Sequence, residues 1–234
     1  MQPLRARTPP RQRATLVNAR SRETRRALIR AALELWSKGD FDEAYEASTA
    51  ADIARAAGVS KGTFYFHFAS KQDLLLDMSS ATVQAMIDEV DKGVRQGIPL
   101  QSLTLQVMNS MARRVARAPK AAALRAAALA FGSQLGHATP ARPRLGVAFE
   151  ALIRYGKDRG ELNSKIDVED AAAMLSAVTM EAINRWGAGD RGASWLRQTL
   201  CGRAEIVLSG LRALGKPSDQ SAERRVMKSS TARG

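Results

Sequence analysis

Cysteine is nearly absent from this chain: Cys201 is the single one in 234 residues. One thiol closes no intramolecular disulfide and anchors no multi-cysteine metal site, which fits a reducing compartment, so the cytoplasm is the expected location. Histidine is almost as scarce, and His67 and His137 stand 70 residues apart without a ligand cluster around either. No metal site is therefore expected. Long apolar runs are missing too: no stretch approaches the roughly 18 residues of a membrane span, and the N-terminus lacks the apolar segment of a signal peptide. Paired catalytic carboxylates, a nucleophile elbow and a P-loop are also wanting, so neither an enzyme nor a cofactor is expected. Acidic residues vanish altogether between Asp91 and Glu150, where nine lysines and arginines stand.

What the chain does have is positive charge and material for a core. Its 36 lysines and arginines outweigh 23 acids, a formal net charge of +13. That imbalance calls for a polyanionic partner, with nucleic acid ahead of a membrane surface. A hydrophobic fraction of 45% is ample for a buried interior.

Residues 1 to about 20 are rich in arginine and proline and read as a disordered basic arm; the polar stretch 215–234 reads as a disordered tail. Between them the apolar positions recur at three and four, and no alternating strand appears, so the fold is expected to be all-α. The first helix is predicted from about Glu23 to Lys38, with Leu28, Ile29, Ala32, Leu35 and Trp36 inward and Gly39 as its stop. A short helix after Ser48-Thr49 turns Ile53 and Ala54 inward. Gly58 then supplies a turn, Val59 a buried plug, and Ser60 the cap of another short helix. Ser70-Lys-Gln-Asp73 is a capping box opening a long helix that ends at Gly97-Ile-Pro99. Later boundaries fall at Pro119, at Gly136–Pro140 and at Gly160. Two further helices are predicted, from Asp167 to Trp186 and from Trp195 to Ala213. Gly187-Ala-Gly189-Asp-Arg-Gly192 between them satisfies G-x-G-x-x-G, but it follows a helical pattern rather than a strand and reads as a loop.

Four of the twelve aromatics crowd into Phe64-Tyr-Phe-His-Phe68. In a helix Phe64 and Phe68 share a face and can close a small core with Leu35, Trp36 and Ile53. Lys61, Thr63, Tyr65 and His67 are then left facing outward, and Phe66 has no evident task. Helix, four-residue turn at Ala57-Gly58-Val59-Ser60 and helix make a helix-turn-helix, whose second member enters the major groove of DNA.

The stretch from Thr49 to Leu75, TAADIARAAGVSKGTFYFHFASKQDLL, resembles the DNA-binding signature of the TetR/AcrR family of bacterial transcriptional regulators. The resemblance implies an N-terminal three-helix DNA-binding domain at 21–68 and a larger helical effector-binding and dimerisation domain at 69–214. It implies that Lys61 and Gly62 approach base edges, that Thr63 touches a base or a phosphate, and that Thr49, Tyr65, His67 and Lys71 hold phosphates. Ser48 and Ser60, at the starts of the two helices, complete the expected DNA-binding set. The implied partners are double-stranded DNA with a palindromic operator, a small-molecule effector that releases it, and a second copy of the chain. The homodimer would use the last two helices, where Ala177, Ala182, Gly202, Ala204 and Gly210 allow close approach.

One departure from the family pattern stands out. Gly39 to Ile53 covers fourteen residues here, against about nine in the family, and the excess within Asp40–Glu46 is acidic. It is expected to extend a helix or loop away from the DNA. The acid-free midsection fits either an entrance for an anionic effector or a solvated basic surface. The alternative to a ligand-responsive repressor is an architectural or weakly specific DNA binder without an effector, driven by the basic arm and midsection.

Overall fold

The computed structural model describes residues 10–135 and 144–214, and among them every regular element is helical. The expected tail at 215–234, the loop that holds His137 and the first nine residues of the arm lie outside the described residues. In chain order the helices are α1 (Pro10–Trp36), α2 (Phe41–Ala47), α3 (Ala50–Ala56), α4 (Lys61–His67) and α5 (Lys71–Arg95). They continue with α6 (Leu100–Val115), α7 (Lys120–Leu135), α8 (Leu145–Asp158), α9 (Val168–Gly187) and α10 (Ala193–Ala213).

Helix α1 starts well before Glu23, so residues 10–20 are helical rather than part of a disordered arm. Proline suits the first helical position, where its missing N–H would have no partner anyway, and residues 11–36 contain no glycine or further proline to interrupt the helix. The acidic excess after Gly39 also folds. Asp40 caps α2 by accepting from the Glu43 amide at 3.0 Å. Phe41 and Tyr45, four apart, then bury one face of α2 against Trp36, with ring centroids 5.9 and 5.0 Å away.

The chain divides into two compact units. The N-terminal unit holds α1 to α4, the beginning of α5 up to Ser79, and α7. The two units therefore part inside α5, after Ser79, where the expected boundary was 68/69, and α7 joins the N-terminal unit because Ala122 and Ala126 enter the same core as Trp36, Ile53, Phe64 and Phe68. Small side chains let α7 lie close to that core, a relation between segments some 60 residues apart in sequence.

In the second unit α6 and α9 both pack on α10, and α8 packs on α9. The start of α6 has no side-chain cap of its own. Glu161, brought there by the end of α8, accepts from the Leu100 amide at 3.0 Å and supplies one. The Tyr155 hydroxyl donates to the Ile98 carbonyl at 2.9 Å beside it. Ala182 and Ala204 are buried within this unit, so they face their own chain. They are not open to a second copy, as the expected dimer stripe required.

Candidate nucleic-acid interface

The N-terminal unit builds its helix-turn-helix from local capping. Thr49 accepts from the Asp52 amide at 3.2 Å, while its own amide donates to the Asp52 carboxylate at 3.0 Å, a reciprocal capping box that starts α3. The hydroxyl and amide of Thr49 hold the Asp52 carboxyl below the usual carboxylate range. Gly58 follows α3 at φ +69°, a left-handed conformation that β-carbon-bearing residues avoid. The Val59 amide then donates to the Ala54 carbonyl at 2.9 Å and closes the turn. Val59 itself is half-buried against the core rather than fully enclosed. Ser60 accepts from the Thr63 amide at 3.0 Å, and the two hydroxyls lie 2.8 Å apart, which fixes the first turn of α4.

Helix α4 has two unlike sides. Phe64 and Phe68 are 0% and 1% exposed, with centroids 5.8 Å apart in the core. At about 100° per residue the opposite ridge is Gly62 and Phe66. Lys61, Gly62, Tyr65 and Phe66 are exposed, Tyr65 at 52% and Phe66 at 80%. Thr63 and His67 sit half-buried on the flanks. The Lys61 ammonium is 6.0 Å from the Tyr65 ring and edges the same surface.

His67 is braced from behind by a residue that motif spacing does not reveal. Arg25 of α1 donates to the His67 carbonyl at 3.3 Å and forms an ion pair with Asp77 of α5, one hydrogen bond of which is 2.8 Å long. The same guanidinium lies 4.6 Å from the centroid of Phe68. Asp77 raises the pKa of Arg25, so this cation is permanent. Burial, and then the charge of Arg25, push the His67 imidazole below its usual value. At neutral pH it is therefore an uncharged ring that offers an N–H donor.

Two of the expected contact residues are turned to other work. The Ser48 hydroxyl donates to the Tyr45 carbonyl at 3.0 Å and accepts from the Trp36 indole at 2.7 Å, locking the end of α2 to α1. The Lys71 ammonium donates to the carbonyls of Tyr45, Glu46 and Ser48 at 2.5, 3.2 and 3.2 Å. Those bonds use its three protons on the C-terminal end of α2, where unpaired carbonyls and the helix dipole favour a cation. Lys71 is thus directed to the end of α2, the helix that the acidic stretch after Gly39 forms.

Arg125 of α7 completes that arrangement. It donates to Asp42 at 2.6 Å and to Glu46 at 2.8 Å, and its guanidinium lies 4.1 Å from the Tyr45 ring centroid. Lys71 lies 4.4 Å from the same centroid, so two cations flank one aromatic ring. Arg125 stands in the acid-free basic stretch of the sequence, and its acidic partners are about 80 residues away, beyond the reach of motif spacing.

Among the described residues no group of histidine, cysteine, aspartate or glutamate could hold a metal ion, and no helix is long and apolar enough to cross a membrane. The surface left by Thr49, Lys61, Gly62, Thr63, Tyr65, Phe66 and His67 carries a cation, two exposed rings and hydroxyl donors on one short helix and its flank, a set suited to a DNA groove.

Known proteins carry the same arrangement. The profile described as "Bacterial regulatory proteins, tetR family" matches residues 28–78, the span from α1 into α5. The chain is 31% identical over 170 residues to the A-factor receptor protein of Streptomyces griseus, a match covering 68% of this chain and 53% of that one. It thus spans about half the length of that relative. It is 27% identical to the HTH-type transcriptional repressor BepR of Brucella suis, over 74% of this chain and 85% of that one. Its fold is similar to that of Thermus thermophilus FadR, a TetR-family repressor solved with lauroyl-CoA. That likeness has a TM-score of 0.58 at 25% identity and covers 80% of this chain and 94% of the other. With the helix-turn-helix, its caps and the following helical unit all in place, the chain belongs to the tetR family of bacterial regulatory proteins.

Proposed function

We propose that this protein is a cytoplasmic, homodimeric transcriptional repressor that binds a palindromic operator through α4 and leaves it when a small molecule binds the second unit. The observation that carries the proposal is the two-sidedness of α4. One side is closed in the core by Phe64 and Phe68, while Lys61, Gly62, Tyr65 and Phe66 stand exposed on a seven-residue helix. Lys61 meets guanine acceptors, Gly62 brings the backbone near the base edges, and Thr63 touches a base or phosphate. Tyr65 and the neutral His67 donate to phosphates, with Ser48, Thr49, Ser60 and Lys71 supporting them from within the fold.

The dimer uses the outer faces of α9 and α10. Met174 and Ile206 are exposed there at 53% and 73%, beside exposed Ala177 and Gly210. Two such copies set the recognition helices about 34–36 Å apart, one turn of DNA, and an effector that prefers another spacing shifts the population off the operator. One relative is named a receptor for A-factor and a protein of similar fold was solved with lauroyl-CoA, which supports a small-molecule effector for this chain. The exposed Arg113, Arg114 and Arg117 near the end of α6 would favour an anionic one. No catalytic step is involved.

The test begins with selection of a binding site from random duplexes, followed by affinity measurement at about 200 mM salt, where non-specific attraction is weak. The expected outcome is a palindromic site on which Lys61→Ala relaxes base preference at one position of each half-site. Binding that shows no sequence preference would favour the architectural reading instead.

A further inference from the structure

Phe66 is 80% exposed, more than any other large apolar side chain whose exposure is described, and no task for it follows from the motif. Its neighbours make the exposure specific. Phe64 and Phe68 occupy one side of α4, so residues 62 and 66 form the opposite ridge, the part that reaches furthest from the core. Position 62 is glycine, and a β-carbon built there would come no closer to its surroundings than 3.7 Å, to the Ser60 hydroxyl. The fold thus does not demand glycine for space, nor does it demand a positive φ there. The leading ridge therefore presents bare backbone and one large apolar ring. That ring is steadied by an edge-on contact with His67, centroids 5.1 Å apart, which leaves its far face open.

A phenyl ring neither donates nor accepts a hydrogen bond, so it cannot read the polar edges of the major groove. The groove offers it one apolar group, the C5 methyl of thymine. Lys61 and the net charge of +13 bring the same helix to a polyanion. We infer that Phe66 is a specificity-determining residue, packing on a thymine methyl in each half-site while Gly62 permits the approach. This inference rests on the DNA-binding role proposed for α4.

Replacing thymine by uracil removes the methyl and nothing else, which makes a direct test. In the site selected by the wild-type protein, each thymine is replaced in turn by uracil and binding is measured for the wild type, Phe66→Ala and Phe66→Tyr. One thymine in each half-site is expected to lose about fourfold in affinity on demethylation with the wild type, the scale of one buried methyl group. With Phe66→Ala the same uracil should have no further effect, and Phe66→Tyr, which keeps the ring, should retain the sensitivity. The ring is exposed, so both variants should unfold at the wild-type temperature, and that control separates lost contact from lost fold. Wild-type binding indifferent to every uracil, or equal sensitivity in Phe66→Ala, would overturn the inference while leaving the repressor intact. Should selection yield no site at all, the DNA-binding role fails first and this inference with it.

Discussion

Helices α2 and α4 are each seven residues long, each begins at a side-chain cap and each buries aromatic rings in the same core. They differ in what becomes of everything else. On α2 the carboxylates Asp42 and Glu46 meet Arg125, and the final carbonyls meet Lys71. On α4 the comparable outward groups, Lys61, Tyr65 and Phe66, remain exposed. A helix whose polar groups are paired within its own chain is built for architecture, whereas one that keeps a cation and two rings in water is built for a partner. The contrast teaches which of two similar elements carries function, and it does so without reference to relatives.

Lys71 is the place to break that contrast with the largest effect. Its ammonium satisfies three carbonyls and is mostly shielded, its side chain being 24% exposed. Lys71→Met should therefore lower unfolding stability by about 1–3 kcal/mol, the cost of leaving such groups without their charged donor. Urea denaturation measures this directly. If the lysine instead served a phosphate, stability would hold and the dependence of DNA affinity on salt would fall by about one ion.

Gly62→Ala sharpens the same contrast from the other side. The new methyl has room and helix propensity improves, so the folded state should gain about 0.5–1 kcal/mol. Operator affinity should nonetheless fall by roughly tenfold, since the methyl holds the backbone away from the base edges. Thermal unfolding together with binding measures both, and a variant that is more stable and binds equally well would remove Gly62 from the interface.

How much of this was legible beforehand follows the range of the interactions. The turn at Gly58, the cap at Ser60, and the burial of Phe64 and Phe68 depend on residues close in sequence, so spacing alone reveals them. Ser48 and Lys71 misled because their hydrogen bonds depend on α2, whose helical state rests on packing against Trp36. Arg25 and Arg125 were invisible for a related reason: their partners lie 52 and about 80 residues away. Phe66 was legible as an oddity, and its meaning waited on knowing which side of α4 faces the core.

The ion pairs of Arg125 provide the mildest break. Asp42 and Glu46 are 74% and 66% exposed, so the attraction is screened by water and should contribute no more than about 1 kcal/mol. The rings of Phe41 and Tyr45, not these charges, hold α2 in place, and Arg125→Gln should leave the helical content unchanged. Its stability deficit should be measurable at low salt and shrink towards zero in about 1 M salt, where the screening length is near 3 Å. A deficit that survives high salt would instead trace to the stacking of the guanidinium on Tyr45, which salt screens less because the ring excludes ions from one side of the contact. The two outcomes distinguish whether charge or ring fastens α7 to the helix that occupies Lys71.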